Sequence, residues 1–201
     1  MICTDEILKL HEETVAKWHQ SPLTNPYDEP LRLVCQQHSY NYRLWHEEDI
    51  ARSRDVRDEE IAEVKRNIDG FNQHRNDCID KIDDWITGWL VTAGKDLDID
   101  APINSETPGS IIDRLSILSL RIYHMIEQTQ RVDVEQDHLQ SVERKLAICY
   151  EQRDDLSNAL RQLLEDIRLG KKRHKTYRQF KMYNDPSLNP YLYDKSLKRA
   201  S

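Results

Sequence analysis

Hydrophilic side chains recur in this chain where a packed helix face calls for apolar ones. Across Asp58–Leu90, Ile61, Ile68, Ile79, Ile82 and Ile86 repeat at helical spacing. At ~100° per residue, Asn72 and Arg75 fall inside that apolar arc, with Lys65 and Asp83 at its edge. The preceding stretch carries Asn41, Glu48 and Arg52 on its own inward arc, beside Trp45. Such groups cost ~1–3 kcal/mol each when buried without partners. The two arcs must therefore satisfy each other, or a ligand.

Two chemistries are open to this set. In the first, a polar pocket is lined by Asn41, Trp45, Glu48, Arg52, Lys65, Asp69, Asn72, Arg75, Asn76, Asp113 and His124, and no cofactor is needed. In the second, the carboxylates of Glu48, Asp49, Asp69 and Asp113 hold Mg²⁺ or Mn²⁺, and Lys65, Arg52 or Arg75 meets a phosphate. That second arrangement would suit metal-assisted hydrolysis of a nucleotide or phosphosugar. Other constellations are weaker. Glu135-x-x-His138 has no second copy, as a di-iron bundle requires. Asp113 and His124 share one line of a helix but lie ~16 Å apart along it, too far for one ion. Ser110 and Ser116 have no histidine at readable spacing, and there is no glycine-rich phosphate loop. Thr107-Pro108-Gly109-Ser110 presents free backbone N–H groups where an anion could dock, but without glycine repetition a plain helix cap is the better reading.

The elements that must position these residues are helices. The 201-residue chain has five glycines, 38% hydrophobic residues and no strand-like runs of Val, Ile and Thr, which predicts a single all-α bundle over residues 1–170. Ile7, His11, Val15 and Trp18 share one face of a first helix, and three prolines in Ser21–Pro30 mark a loop. Pro30 opens a second helix reaching about Arg54, and a third spans about Asp58–Thr92. Thr107 with Pro108 is a good N-cap for a fourth, running to about Gln130. This fourth helix is apolar nearly all round, which predicts a central place. In the fifth, Leu139, Val142, Leu146, Cys149, Arg153, Leu156, Leu160, Leu163 and Ile167 alternate in steps of four and three. Such a heptad seam packs closely on a neighbouring helix or on a second copy, making a homodimer through Leu139–Ile167 one way to fill it. Gly170 suits the position just past its end.

Charge is unevenly spread. Residues 171–201 hold nine Lys/Arg against two acids, a balance of +7, while the other 170 residues hold 20 against 34, a balance of −14. The tail also carries Tyr177, Phe180, Met182, Tyr183, Leu188, Tyr191, Leu192 and Tyr193. That apolar content predicts an ordered tail packed on the acidic body, and argues against a solvated arm for nucleic acid. No run of ~18–20 apolar residues could span a membrane, and no signal-peptide core follows Met1. The four scattered cysteines form no CxxC pair, and Cys149, Cys35 and Cys78 fall on or beside inward positions as small hydrophobes. A reducing cytoplasm is the expected compartment.

Four runs carry a family resemblance: Leu44-Trp45-His46-Glu47-Glu48-Asp49-Ile50-Ala51-Arg52, the stretch Lys65–Asp77 containing Asn72-Gln73-His74-Arg75-Asn76-Asp77, Glu106–Leu118, and Tyr177–Pro186. Together they resemble an uncharacterised bacterial family of unknown function whose genes often lie near lipopolysaccharide glycosyltransferases. The likeness runs from about Leu31 to Tyr193. It implies a cytoplasmic accessory role in cell-surface glycan assembly. The partner it implies is either a protein of that machinery, such as a glycosyltransferase, or a phosphorylated sugar or sugar nucleotide. It brings no catalytic residues with it.

Overall fold

The computed structural model describes residues 1–95, 99–178 and 185–194. Five long helices, α1 (Thr4–Trp18), α2 (Leu31–Arg52), α3 (Asp58–Thr92), α4 (Pro108–Thr129) and α5 (Gln136–Arg168), precede a single turn, α6 (Pro190–Tyr193). Among the described residues there is no strand, only an isolated bridge between Ile103 and Arg173. The chain is an all-α bundle.

Hydrophobic distribution dictates the arrangement. α4 lies at the centre and touches α1, α2, α3 and α5, because it is apolar on nearly every side. α2 runs along α3 and α5 runs along α4, while α1 leans on α2 and α4. Ile7, Leu10, Ile82, Ile86, Leu90, Ile112, Leu115, Leu120 and Leu160 are the largest apolar side chains removed from solvent, and all belong to one cluster. At the far end of the α2/α3 pair, Leu44, Val64 and Ile68 form a smaller cluster with Ala51 and Phe71. The 35 residues of α3 give a rod of roughly 50 Å, long enough to serve both clusters.

The start of α4 is held from outside the helix. Thr107 Oγ1 accepts from the Ser110 backbone N–H at 3.2 Å, and Asp83 Oδ1 of α3 accepts from the Gly109 N–H at 2.8 Å. Thr107 is thus the plain cap that the sequence favoured, and the anion seated at this helix N-terminus is the protein's own Asp83. Gly109 is required here because a Cβ would come within 2.8 Å of the Ile79 carbonyl oxygen and 2.9 Å of Asp83 Cγ. His174 closes the junction, its Nε2 lying 3.0 Å from the Asp83 carbonyl oxygen.

α4 fills the heptad seam of α5 within the chain. Leu118 and Ile122 of α4 pack on Cys149, with Ile126, Leu146, Tyr150 and Leu156 around them. The expected tail is divided in two. Its first part is tied down: the Arg173 N–H donates to the Pro102 carbonyl at 3.0 Å, and Arg178 pairs with Asp84 at 2.7 Å and Asp80 at 3.3 Å. Tyr177, Leu188, Tyr191, Leu192 and Tyr193 are exposed, in place of the packing that their apolar content predicts. Phe180, Met182 and Tyr183 lie outside the described residues.

Candidate functional site

α2, α3 and α4 enclose an open cleft of about 380 Å³. From α2 it is lined by Asn41, Leu44, Trp45, Glu48, Asp49 and Arg52, from α3 by Asn72 and Arg75, and from α4 by Ile117 and Leu120. The α2 residues recur at steps of three and four, so one helical stripe faces the opening.

Beneath Arg75 sits Asp113, buried, where Asn41 and Gln37 converge on it. Gln37 Nε2 donates to Asp113 Oδ1 at 2.5 Å and Asn41 Nδ2 donates to the same oxygen at 2.9 Å. Asn41 Nδ2 is also 2.9 Å from Ser116 Oγ, which lies 2.7 Å from His38 Nδ1. One turn of α4 and two turns of α2 are thereby locked in a polar chain that reaches from the cleft into the core. Burial pushes the Asp113 carboxyl above its usual range, opposed by the charge of Arg75 and the amide hydrogen bonds from Asn41 and Gln37. Burial likewise pushes His38 down to about 3, against a small upward pull from the His11 backbone, so His38 is neutral at ordinary pH.

Arg75 is the charged group that links this floor to the cleft. Its Nε is 3.6 Å from Asp113 Oδ1, and among the described residues that buried Nε has no hydrogen-bond acceptor. The guanidinium is held by charge attraction, and the side chain, 25% exposed, lines the cleft. At the rim, Arg52 pairs with Glu48 at 3.0 Å and also donates to the Glu48 carbonyl at 2.6 Å.

One wall of the cleft is Trp45, and its indole is stacked at 4.7 Å on His124 of α4, with the planes 13° apart. Behind it, His124 meets rings that the expected site did not include, those of His19, His46 and Tyr123. His19, at the end of α1, stacks on Tyr123 at 4.2 Å and stands 5.3 Å from His46 and 5.1 Å from His124. His19 Nδ1 is 2.7 Å from the Val15 carbonyl oxygen, and His124 Nδ1 is 2.7 Å from Glu127 Oε2. Burial and the two neighbouring imidazoles push His46 below its usual pKa, against a weaker upward pull from Asp49 and Glu127. This packing sets the plane of Trp45 from behind.

Of the eleven side chains expected to form the site, Asn41, Trp45, Glu48, Arg52, Asn72 and Arg75 line the cleft, and Asp113 anchors its floor. His124 backs Trp45 without lining the cleft, and Asn76 is buried on α3 outside it. Lys65 and Asp69 do not belong. They pair with each other across one helical turn on the exposed face of α3. A lysine at the edge of an apolar arc can carry its ammonium to water along a flexible stem, which is why angle alone misplaces it. Arg52 and Glu48 also sit further out than a buried pair, their side chains being 69% and 44% exposed. Of the four carboxylates considered for a metal, only Glu48 and Asp49 reach the cleft. Among the described residues, no three His, Cys, Asp or Glu side chains are placed to hold one ion.

Gln37, His38 and Ser116 are the members that sequence reasoning missed. The signal was faint: Gln37 lies one helical turn before Asn41, and Ser116 lies three residues past Asp113.

Comparison with known proteins bears out a family of unknown function, over a stretch that ends before the Tyr177–Pro186 run. A family model described as "Protein of unknown function (DUF4254)" matches residues 31–176. The chain belongs to that family. The match takes in α2 to α5 and so every residue of the cleft, whereas α1 precedes it. No curated protein and no solved structure matches the chain. No helix of the described residues is long and apolar enough to cross a membrane.

Proposed function

We propose that the α2/α3/α4 cleft binds a phosphorylated sugar or sugar nucleotide, and that the protein serves as a cytoplasmic accessory to the assembly of lipopolysaccharide or a related cell-surface glycan. The observation that carries this reading is the state of Arg75. A guanidinium that lines the cleft partly exposed, balanced by Asp113 from below at 3.6 Å, is suited to a phosphoryl oxygen arriving from the cleft. Trp45 supplies the other half, an aromatic wall for the apolar C–H face of a pyranose ring or for a base. Asn41 and Asn72 supply amide donors and acceptors for hydroxyl groups. The volume lies at the small end of ligand sites, fitting a sugar phosphate or one end of a sugar nucleotide. The glycan context comes from the resemblance, in which such genes lie near glycosyltransferases.

Calorimetric titration with glucose 1-phosphate and with UDP-glucose, with and without Mg²⁺, tests the reading. Saturable binding that is lost in both Trp45→Ala and Arg75→Met is the expected result. Binding by neither ligand would turn the reading towards a protein partner of the glycan machinery. Turnover that depends on Mg²⁺ would favour the hydrolase chemistry of Glu48 and Asp49.

A further inference from the structure

A second cavity, of about 240 Å³, lies on the other side of α4, enclosed by α1, α4 and α5. We infer that it binds a small amphiphilic monocarboxylate, with the acid group on Arg153 and the apolar body against α1 and α4.

Arg153 is a charged residue in the middle of an otherwise apolar seam. A seam position faces the neighbouring helix, so an arginine there sits against a cost unless it has a partner. Its guanidinium lies over the Tyr150 ring at 4.9 Å, and among the described residues its only ion pair is a 3.6 Å approach to the adjacent, largely exposed Asp154. Among the same residues its buried Nε has no hydrogen-bond acceptor. The side chain, 32% exposed, thus stands at the wall of the cavity without a close carboxylate partner.

The second observation is independent and comes from α1. His11 lines the same cavity, is 1% exposed, and among the described residues has no hydrogen-bond partner on either ring nitrogen. Burial and the neighbouring His38 keep it neutral, so it presents one N–H donor and one lone pair, both unmet. Buried polar atoms are nearly always satisfied, and an orphaned donor and acceptor on one ring point to an occupant.

The remaining walls define that occupant. Leu8, Val15, Leu115, Ile122 and Ile126 are apolar, so most of the ligand must be too. At the ~30 Å³ that a water takes in the liquid, the space holds about eight non-hydrogen atoms, close to the size of a medium-chain acid such as octanoate. Glu12 stands exposed at the rim. Its charge disfavours a dianion, so a carboxylate suits the site better than a phosphate monoester of the same length. The cavity shares no lining residue with the α2/α3/α4 cleft, and this inference stands apart from the reading of that cleft.

The test is calorimetric titration of the full chain with octanoate, methyl octanoate and octyl phosphate, together with ¹⁵N NMR of the His11 ring. Expected are saturable binding of octanoate, roughly tenfold weaker binding of the ester and of the Arg153→Met variant, and a shift of the His11 nitrogens on saturation. Ser119→Leu, which fills the cavity, should abolish binding while leaving the cleft intact. No saturable binding of octanoate, equal binding of acid and ester, or an unmoved His11 signal would each overturn the inference. Tighter binding of octyl phosphate would overturn its choice of a monoanion.

Discussion

Acidification should destabilise this protein through His38 by an amount that the structure sets. The ring is buried in the wall between α1, α2 and α4, near His11 and Trp18 and bonded to Ser116. Its folded pKa of about 3 lies below the ~6.5 of an unfolded histidine. For a depressed folded pKa, the stabilisation is present above 6.5 and is lost as pH falls towards 3, because only the unfolded state takes up the proton. Between pH 7.5 and pH 5.0 that loss spans about 1.5 units below the unfolded value, or about 2 kcal/mol at 1.36 kcal/mol per unit. Urea unfolding of wild type and His38→Asn at both pH values isolates the contribution, since His11 is kept neutral in both chiefly by its own burial and more distant titrating groups cancel in the difference. The wild type should lose about 2 kcal/mol more than the variant. An equal loss in the two proteins would refute the burial of a neutral imidazole at this position.

Three further outcomes follow from the same geometry. Gly109→Ala should cost about 1–3 kcal/mol in urea unfolding, because the added methyl meets the Ile79 carbonyl, which cannot yield as a side-chain tip can. Arg75→Met should destabilise by about 1–3 kcal/mol, through loss of the charge facing buried Asp113, whereas Lys65→Met should stay within about 0.5 kcal/mol. Equal melting temperatures for those two variants would contradict the placement of both residues. Asp113→Leu should cost more than Asp113→Asn, because leucine leaves the Gln37 and Asn41 amides without an acceptor; denaturant midpoints in the reverse order would show that the polar chain does not hold the floor together.

Much of the fold could be read in advance because its signals are local. The bounds of α3, Asp58–Thr92, agree with the predicted span, and α4 begins at the Thr107-Pro108 cap. The central place of α4 followed from an apolar pattern with no free face. The cleft was legible as well, since two facing arcs with misplaced polar residues had to meet, and Asn41, Asn72 and Arg75 do. Helical angle failed where side-chain length decides. Lys65 and Arg52 reach solvent from positions that a short polar residue could not leave. It was also blind to the rings behind Trp45. His19, His46 and His124 come from three helices, and nothing at the level of spacing links a residue at the end of α1 to a stripe on α4. The Asp83 contact with Gly109 escaped for the same reason: the sequence showed the Thr107 cap, and only the packing of α3 on α4 revealed the carboxylate beside it.

The claim on which the account rests is that Trp45 and Arg75 face one ligand. Side-chain ¹⁵N NMR observes both directly, through the indole Nε1–H of Trp45 and the Nε–H of Arg75, during titration with glucose 1-phosphate. The account predicts that these two resonances move together and saturate at one concentration. If both stay fixed while the ligand perturbs other parts of the chain, or none, the cleft is a structural polar seam and not a binding site.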